Sequence, residues 1–463
     1  MLDDTIAAVS TPRGRGGVAL LRISGRDAVA VCERVFVAKN KKPLSAQPAR
    51  MAIYGEILAP DSNGERQSVD DGIATVFRAP ASFTGEDTVE LCCHGGMLLT
   101  ETVLTSLFAA GARPAEAGEF TRRAFLNGKL GLSSAEALGN ILEAQTREQL
   151  ALAHTGMRGK VEARCTEIYN ALADVLASIY AKIDYPDEDL ADLSPAEMEA
   201  SLEVCRKMTE RLCATYQTGR AIAEGIPTVI CGKPNVGKSS LYNRMVGREA
   251  AIVTDIEGTT RDVLCETVAM GRVTLRLFDT AGLHDTDNPV EQIGIARTRD
   301  AMESAELVLA VFDGSREVDA EDLALIEQLK SVNACVVAVL NKSDSSNKED
   351  EAFFGEQFAN MVRISARTGE GMELLRDLVD ALFTDDQINV REDAVLTNAR
   401  QHAAALRTLE AIDRALDALR SGCPMELCCT DAELAMTAIG ELDGRAVSED
   451  IVSRIFSHFC VGK

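Results

Sequence analysis

At 463 residues the chain is long enough for about three domains of ~150 residues each, and with 26 % charged and 46 % hydrophobic residues it has the composition of a soluble globular protein. No signal-peptide pattern opens it and no apolar run approaches the roughly 20 residues of a membrane span, so a cytoplasmic protein with no membrane partner is expected. A formal net charge of −24 excludes simple coating of nucleic acid, because Lys and Arg supply phosphate affinity and an acidic field opposes it.

The charge is uneven. Residues 1–128 carry 14 Lys/Arg against 15 Asp/Glu, a net of −1, which leaves −23 for the rest. An RNA partner would therefore need a local basic surface or a helper protein. Thirteen cysteines, an odd number without C-x-x-C pairs, suit free thiols in a reducing compartment. Cys92-Cys93-His94, two thiols beside an imidazole, is a weak candidate for a structural metal.

Taken in chain order, residues 1–128 alternate short β-rich runs, such as Val18–Ile23, with Gly, Pro and Asp punctuation and one helical stretch near Leu98–Ala110. That is the pattern of a compact α+β domain. Over 129–224, Ile168, Leu172, Val175, Leu176, Ile179, Tyr180 and Ile183 fall on one face at helical spacing, which predicts long helices, interrupted at Pro186 and Pro195. Over 225–383, buried strands are predicted at Thr228–Cys231, Val273–Phe278, Leu307–Phe312, Ala334–Leu340 and Val362–Ser365, alternating with amphipathic helices; a parallel sheet with helices on both faces follows. Over 384–463 helices return, with Leu406, Leu409, Ile412, Leu416 and Leu419 on one stripe. The expected fold class is multidomain α/β and α: an N-terminal α+β domain, a discontinuous helical domain, and a P-loop (Ras-like) domain inserted between its two halves.

Gly232-Lys233-Pro234-Asn235-Val236-Gly237-Lys238-Ser239 fits G-x-x-x-x-G-K-[ST], after a β run and before a helical one. The glycines let the backbone curl around phosphates, Lys238 sets a positive charge between the β- and γ-phosphates, and Ser239, followed by Ser240, offers a hydroxyl to Mg²⁺. Asp279-Thr280-Ala281-Gly282 follows a strand, where a carboxylate reaches Mg²⁺ and a glycine amide faces the γ-phosphate. Asn341-Lys342-Ser343-Asp344 follows another; a carboxylate at Asp344 accepts from N1–H and the exocyclic amine of guanine, a donor pair that adenine lacks. Ser365-Ala366-Arg367 completes a base-contacting loop. Four motifs in order, each after a strand, predict GTP as the ligand.

Between the first two motifs lies Thr254-Asp255-Ile256-Glu257-Gly258-Thr259-Thr260-Arg261-Asp262, a switch segment in which Thr260 would complete the Mg²⁺ shell; the plainer reading is a polar loop turning at Gly258. After D-T-A-G stands Leu283, which can neither donate nor accept a hydrogen bond, where Ras-like switches use a glutamine to orient the attacking water. Glu291 or a group from another chain would have to take that part, although a switch-loop glutamate is more often only a solvated carboxylate.

These residues, with D-T-I-A-A at Asp4–Ala8, G-R-G-G at Gly14–Gly17, S-F-T-G-E-D at Ser82–Asp87, G-E-F-T-R-R-A-F-L-N-G-K at Gly118–Lys129, G-T-T-R-D at Gly258–Asp262 and the terminal C-V-G-K, resemble the tRNA modification GTPase MnmE (TrmE) family over essentially the whole chain. The resemblance implies a folate-binding and dimerising domain at 1–128, a helical domain from 129–224 and 384–463, and a G domain at 225–383. It also implies a flavoprotein partner, MnmG, which carries FAD and with which a homodimer would form a heterotetramer. Together they would attach an aminomethyl-type group to C5 of the wobble uridine of certain tRNAs, with the methylene carbon drawn from a tetrahydrofolate.

Matching positions imply Arg22, Glu90, Lys129 and Lys463 for the folate; Asn235, Thr254, Ile256 and Thr259 for K⁺ at a G-domain dimer; and Glu291 as the catalytic glutamate. His284 departs from the family's common D-T-A-G-L-R. Two readings from other classes compete: a ribosome-assembly GTPase of the Era or Der type, against which the acidic helical appendage speaks, and a folate aminomethyltransferase with a vestigial G domain, which the intact motifs oppose.

The chain closes on Phe459-Cys460-Val461-Gly462-Lys463, a poor prenylation box because Gly462 is not aliphatic and lysine is a poor last residue. Ser448 can cap a preceding helix, with Glu449 and Asp450 in its first turn and Ile451, Ile455 and Phe459 on one face. The tail is expected to reach the folate-bearing domain, read as that of the other subunit, and to bring Cys460 near the one-carbon unit as an active-site thiol or a docking residue.

Overall fold

The computed structural model describes residues 4–61, 63–184, 193–249, 265–278, 305–345, 350–457 and 459–462. Two compact units divide the chain: Met1–Gly139 with Asp443–Lys463, and Asn140–Leu442.

The first unit is built on a sheet of seven strands: β1 (Ile6–Val9), β2 (Gly16–Ser24), β3 (Phe36–Ala38), β4 (Ala52–Pro60), β5 (Arg66–Phe77), β6 (Thr88–Gly95) and β7 (Arg113–Pro114), in the spatial order β3-β4-β5-β6-β2-β1-β7. Pairing is antiparallel except between β1 and β7. Ala19, Leu21 and Ile23 of β2 alternate inward with Val89, Leu91 and Cys93 of β6, while the intervening residues face out. Helices α1 (Ala28–Glu33) and α2 (Met97–Ala109) cover the apolar face through Val29, Val31, Val103 and Leu107. Each such side chain removed from water stabilises the unit by about 1.5–3 kcal/mol.

Helix α3 (Glu119–Leu126) carries a buried charge cluster that sequence reasoning missed. Arg123, 1 % exposed, donates from Nη2 to Asp4 Oδ1 (2.7 Å) and Glu119 Oε1 (2.9 Å), and from Nη1 to Glu86 Oε2 (3.1 Å). Arg113 closes the cluster onto Glu119 (2.6 Å) and Asp4 (2.5 Å). Three of the quoted segments, D-T-I-A-A, S-F-T-G-E-D and G-E-F-T-R-R, thereby meet in one network.

The C-terminal helix, Glu449–Ser457, belongs to this unit, and its face differs from the expected one. Val452 and Phe456 are buried against Leu132 and Ala135 of α4 (Leu132–Glu143), with Ile455 and Phe459 partly so, whereas Ile451 is exposed. The tail then docks on the sheet of its own chain rather than waiting for another subunit. Val461 bridges Ala117, Gly118 N–H donates to the Cys460 carbonyl (3.4 Å), and Ser10 Oγ donates to the Gly462 carbonyl (2.9 Å).

The second unit opens with helices α5 (Arg147–Met157), α6 (Lys160–Asp184), α7 (Pro195–Ala214) and α8 (Tyr216–Ala223). Pro195 starts α7 rather than interrupting a helix: Ser194 and Glu197 form a capping box around it. Along α6, Ile168, Leu172, Val175, Leu176 and Ile179 are buried as expected, while Tyr180 and Ile183 point outward.

From α8 the chain enters a six-stranded sheet: β8 (Ile226–Gly232), α9 (Lys238–Glu249), β9 (Cys265–Met270), β10 (Val273–Phe278), β11 (Leu307–Asp313), α10 (Ala320–Leu329), β12 (Cys335–Asn341), α11 (Asp350–Gln357), β13 (Met361–Arg363) and α12 (Met372–Phe383), ordered β13-β12-β11-β8-β10-β9. The pairing is parallel apart from β9, an antiparallel edge strand that the sequence reading did not foresee.

The chain then returns through α13 (Ala399–Arg420) and α14 (Met425–Asp443) to the α6–α7 core. On α13 the buried stripe is Ala404, Ala405, Thr408, Ala411, Ile412, Ala415 and Leu416; Ile412 and Leu416 lie on it as expected, Leu419 packs against the same core, and Leu406 is exposed. Entry and exit of the sheet lie side by side: Asp385 N–H donates to Thr218 Oγ1 (2.9 Å) and Leu396 N–H to Thr215 Oγ1 (3.1 Å). An α/β domain is thus inserted into a helical one.

Candidate functional site

Strand β8 lies between β11 and β10, where the strand order reverses, and ligands of such sheets bind at the carboxyl ends of the strands on either side of that point. The loop Gly232–Lys238 leaves β8 there and runs into α9. Its backbone is left-handed at three places, Gly232 (φ 144°), Asn235 (φ 63°) and Gly237 (φ 101°). A Cβ on Gly237 would sit 2.1 Å from Asn341 Nδ2, so glycine lets the loop close on the N-K-S-D motif. Lys238 folds over the loop and donates from Nζ to the carbonyls of Gly232 (2.9 Å) and Lys233 (2.7 Å). Its charge therefore stands at the mouth of the turn, which suits a phosphate group; Ser239 and Ser240 follow it on α9.

Asn341, at the end of β12, joins the loops: Nδ2 donates to Val236 O (2.8 Å) and Oδ1 accepts from Ala366 N–H (2.9 Å). Lys342 (φ 67°) pairs with Asp313 at 2.6 Å, and Ser343 N–H donates to Ile364 O (3.0 Å). Asp344 accepts from Ser365 Oγ (2.8 Å) on one oxygen and from Arg367 on the other. The Ser365 hydroxyl, with help from Arg367, holds the carboxyl below its usual range, so it stays an ionised acceptor. The structure thus brings together Asn235–Ser240, Asn341–Asp344 and Ser365–Arg367. Thr254, Asp255, Ile256, Glu257, Gly258, Thr259, Thr260, Asp279, Thr280, Ala281, Gly282, Glu291 and Lys463 lie outside the described residues.

A contact missed from sequence pins this loop from behind. Lys233 Nζ pairs with Asp319 (2.5 Å), the N-cap of α10, and Arg316 joins the same carboxylate (2.9 Å). The signal was present in Asp319 and Asp322, a capping box spaced three apart.

In the first unit, Arg22 and Glu90 face each other across β2 and β6 and pair, Nη2 to Oε1, at 2.8 Å. Glu90 Oε1 also accepts from Arg22 Nε (3.1 Å), and among the described residues Oε2 accepts nothing. The guanidinium lies over the rings of Phe83 (5.1 Å) and Phe120 (5.7 Å). Lys129 Nζ donates to Pro80 O (2.9 Å). One free carboxylate oxygen beside a ring-stacked cation fits a flat heterocycle with adjacent N–H donors. Cys460 is exposed. Cys93 is buried in the sheet and His94 turns to Asp70 instead of joining the thiols (Nδ1 to Oδ1, 2.7 Å).

A glycine-rich phosphate loop at the switch point of a parallel sheet, cross-linked to an N-K-S-D loop with an ionised aspartate, defines a P-loop nucleotide-binding protein of the guanine-specific kind, inserted in a helical domain. The family description "MnmE helical domain" matches residues 132–460, and "GTP-binding protein TrmE N-terminus" matches 5–129. Curated relatives named tRNA modification GTPase MnmE are 42 % identical over 465 residues in Symbiobacterium thermophilum, 38 % over 472 in Carboxydothermus hydrogenoformans and 36 % over 464 in Clostridioides difficile, each covering all of both chains. The chain belongs to the MnmE family of tRNA modification GTPases.

Proposed function

We propose that this GTPase works with a flavin-dependent partner, MnmG, to add a carboxymethylaminomethyl-type group to C5 of the wobble uridine of certain tRNAs, with a tetrahydrofolate as source of the one-carbon unit. One observation carries the reading: Cys460–Gly462 dock on the sheet that holds the Arg22–Glu90 pair, so a thiol and a candidate pterin site share one unit. In this reading residues 1–128 bind folate and dimerise, 129–224 and 384–463 form the helical body, and 225–383 hydrolyse GTP.

Glu90 holds the pterin edge, Arg22 and Lys129 the anionic tail, and Lys463 joins them. At the nucleotide, Lys238 draws negative charge off the β- and γ-phosphates and Asp344 selects guanine. Glu291 orients the attacking water, the part that Leu283 cannot play. Mg²⁺ would be held by Ser239 and Thr260, and K⁺ by Asn235 and the oxygens of Thr254, Ile256 and Thr259; both would supply positive charge beside the phosphates as two G domains pair. FAD enters only with the partner.

The test is reconstitution with the flavoprotein, GTP, a methylene-tetrahydrofolate, an amine donor (glycine or ammonium) and tRNA, followed by nucleoside analysis. The expected result is a modified wobble uridine that disappears when either GTP or folate is left out, together with faster GTP turnover in K⁺ than in Na⁺. Unmodified tRNA in the complete mixture would overturn the modification reading; equal turnover in both salts would remove K⁺ from it.

A further inference from the structure

Arg244 belongs to none of the four nucleotide motifs, yet its side chain reaches the loop that forms the last of them. It stands on α9 six residues past Lys238, which at ~1.5 Å per residue puts it about 9 Å along the helix from the charge that suits the phosphates. From there Nε donates to the carbonyl of Ala366 (2.9 Å) and Nη2 to that of Arg367. One guanidinium that takes two consecutive carbonyls is a fork that the compact ammonium of a lysine does not reproduce. Its helix neighbours Leu241 and Met245 are buried in the core of the sheet, so the backbone that carries Arg244 is fixed.

The other side of the loop can be accounted for donor by donor. Ser365 N–H donates to Glu370 O (2.9 Å), Ala366 N–H to Asn341 Oδ1 (2.9 Å), Thr368 N–H to Ser365 Oγ (3.1 Å) and Gly369 N–H to Ser365 O (2.7 Å). In this run the N–H of Arg367 donates to nothing among the described residues. It lies on the residue whose guanidinium meets the Asp344 carboxylate. An amide donor beside a carboxylate acceptor complements guanine, whose O6, N1–H and exocyclic amine follow one another along one edge. Asn341 joins this loop to the phosphate loop through Ala366 N–H and Val236 O. Arg244 is a second and separate tie, to the helix that starts at Lys238.

We propose that Arg244 is a positioning residue for guanine: by holding the carbonyls of Ala366 and Arg367 it keeps the amide edge of the loop aimed at O6 while Asp344 takes N1–H and the amine. Because Lys238 and Ser239 begin the same helix, the base loop and the phosphate loop are kept at one spacing, that of a single nucleotide. The inference rests on the reading of Asp344 as the guanine-selecting carboxylate and is independent of the tRNA and folate chemistry.

The test is equilibrium titration of the full chain with GDP, with IDP, which lacks the exocyclic amine, and with 6-thio-GDP, in which sulfur, a weak acceptor, replaces O6. Arg244→Met removes the donors and keeps the stem. It is expected to weaken GDP and IDP by a common factor of about three- to tenfold, the worth of one hydrogen bond, and 6-thio-GDP by about twofold or less. Arg244→Lys, which keeps one donor, falls between wild type and Arg244→Met. In GTP turnover KM rises by the factor seen for GDP, and kcat stays within about twofold of wild type. An equal loss on all three nucleotides makes Arg244 a brace of the domain and overturns the proposal. So does no loss on any of them, or a wild type that binds 6-thio-GDP as tightly as GDP. If Arg244→Met fails to fold, Arg244→Lys decides by the same comparison. A wild type that binds IDP as tightly as GDP removes the Asp344 reading first, and this inference with it.

Discussion

Replacing Arg123 by methionine removes the centre of the buried charge cluster while keeping side-chain length. Arg123 gives up contacts to three carboxylates, Asp4, Glu86 and Glu119, and one to the Asp4 carbonyl (2.9 Å). Two of those carboxylates keep a partner: Arg113 still holds Asp4 and Glu119, and Glu119 still accepts from Glu116 N–H (2.8 Å). Glu86, 14 % exposed, is left with the Ser24 hydroxyl as its one side-chain partner among the described residues. Breaking a buried pair costs about 3–5 kcal/mol, and the surviving Arg113 bonds set the expectation at the low end, about 3 kcal/mol. At 1.4 kcal/mol per tenfold, that is roughly a hundredfold more frequent opening of β1, β2 and β6. Hydrogen exchange of the full chain reads it directly, with peptides from β8–β13 as internal reference. A change below about fivefold would refute the reasoning, because it would mean that the cluster's desolvation cancels its attraction. The same cluster predicts a pH dependence. Burial pushes the Glu119 carboxyl up, but hydrogen bonds from Arg113, Glu116 N–H and Arg123 more than offset this and hold it below 4.5. Its contribution is complete above that pH and is lost as pH falls through the lower folded value, so the unit weakens on acidification.

Asp344→Asn exchanges a carboxylate acceptor for an amide: GTP affinity should fall at least tenfold, since each lost bond to a charged group is worth about 1.5–3 kcal/mol, while a xanthine nucleotide, whose base accepts where guanine donates, binds relatively better; unchanged GTP affinity by equilibrium titration would contradict the base-reading role. Gly462→Ala forces a side chain onto φ 97° and to 2.2 Å from Val9 O, so the tail should leave the sheet. Exchange at Ser10 and Ala117 should rise and tRNA modification stop while GTP turnover continues; retained modification would reduce the docking to packing.

What could be read from sequence followed from how local the cause was. Strands β8, β11 and β12 are largely buried apolar runs of seven residues, β8 and β12 each leading into a motif, and helix α2 keeps its predicted place within a residue. Strand β9 (C-E-T-V-A-M) has neither signature: an edge strand needs only one apolar face, and its turn, Gly271-Arg272, carried no motif. Helix faces failed where two stripes were equally apolar. In Glu449–Ser457 the pairs Ile451/Ile455 and Val452/Phe456 both repeat at four, and it is the partner surface, Phe125 and Leu132, that selects the second. Nothing local in the sequence singles out Arg123, because its partners stand 4, 37 and 119 positions away, beyond any local pattern.

The same distance explains the ends of the chain. Nothing within C-V-G-K says what it touches, yet its glycine is required by the Val9 carbonyl, 2.2 Å from where a Cβ would stand, and its own carbonyl meets Ser10 Oγ across a separation of 452. A tetrapeptide that must fit a fixed strand edge tolerates little change even if its cysteine does no chemistry. For that reason the Gly462 and Cys460 positions have to be separated by experiment. Cys460 is exposed, so Cys460→Ser should leave the docking and GTP turnover intact, and any loss of tRNA modification then belongs to the thiol. Modification at the wild-type level would leave the tail a structural clasp.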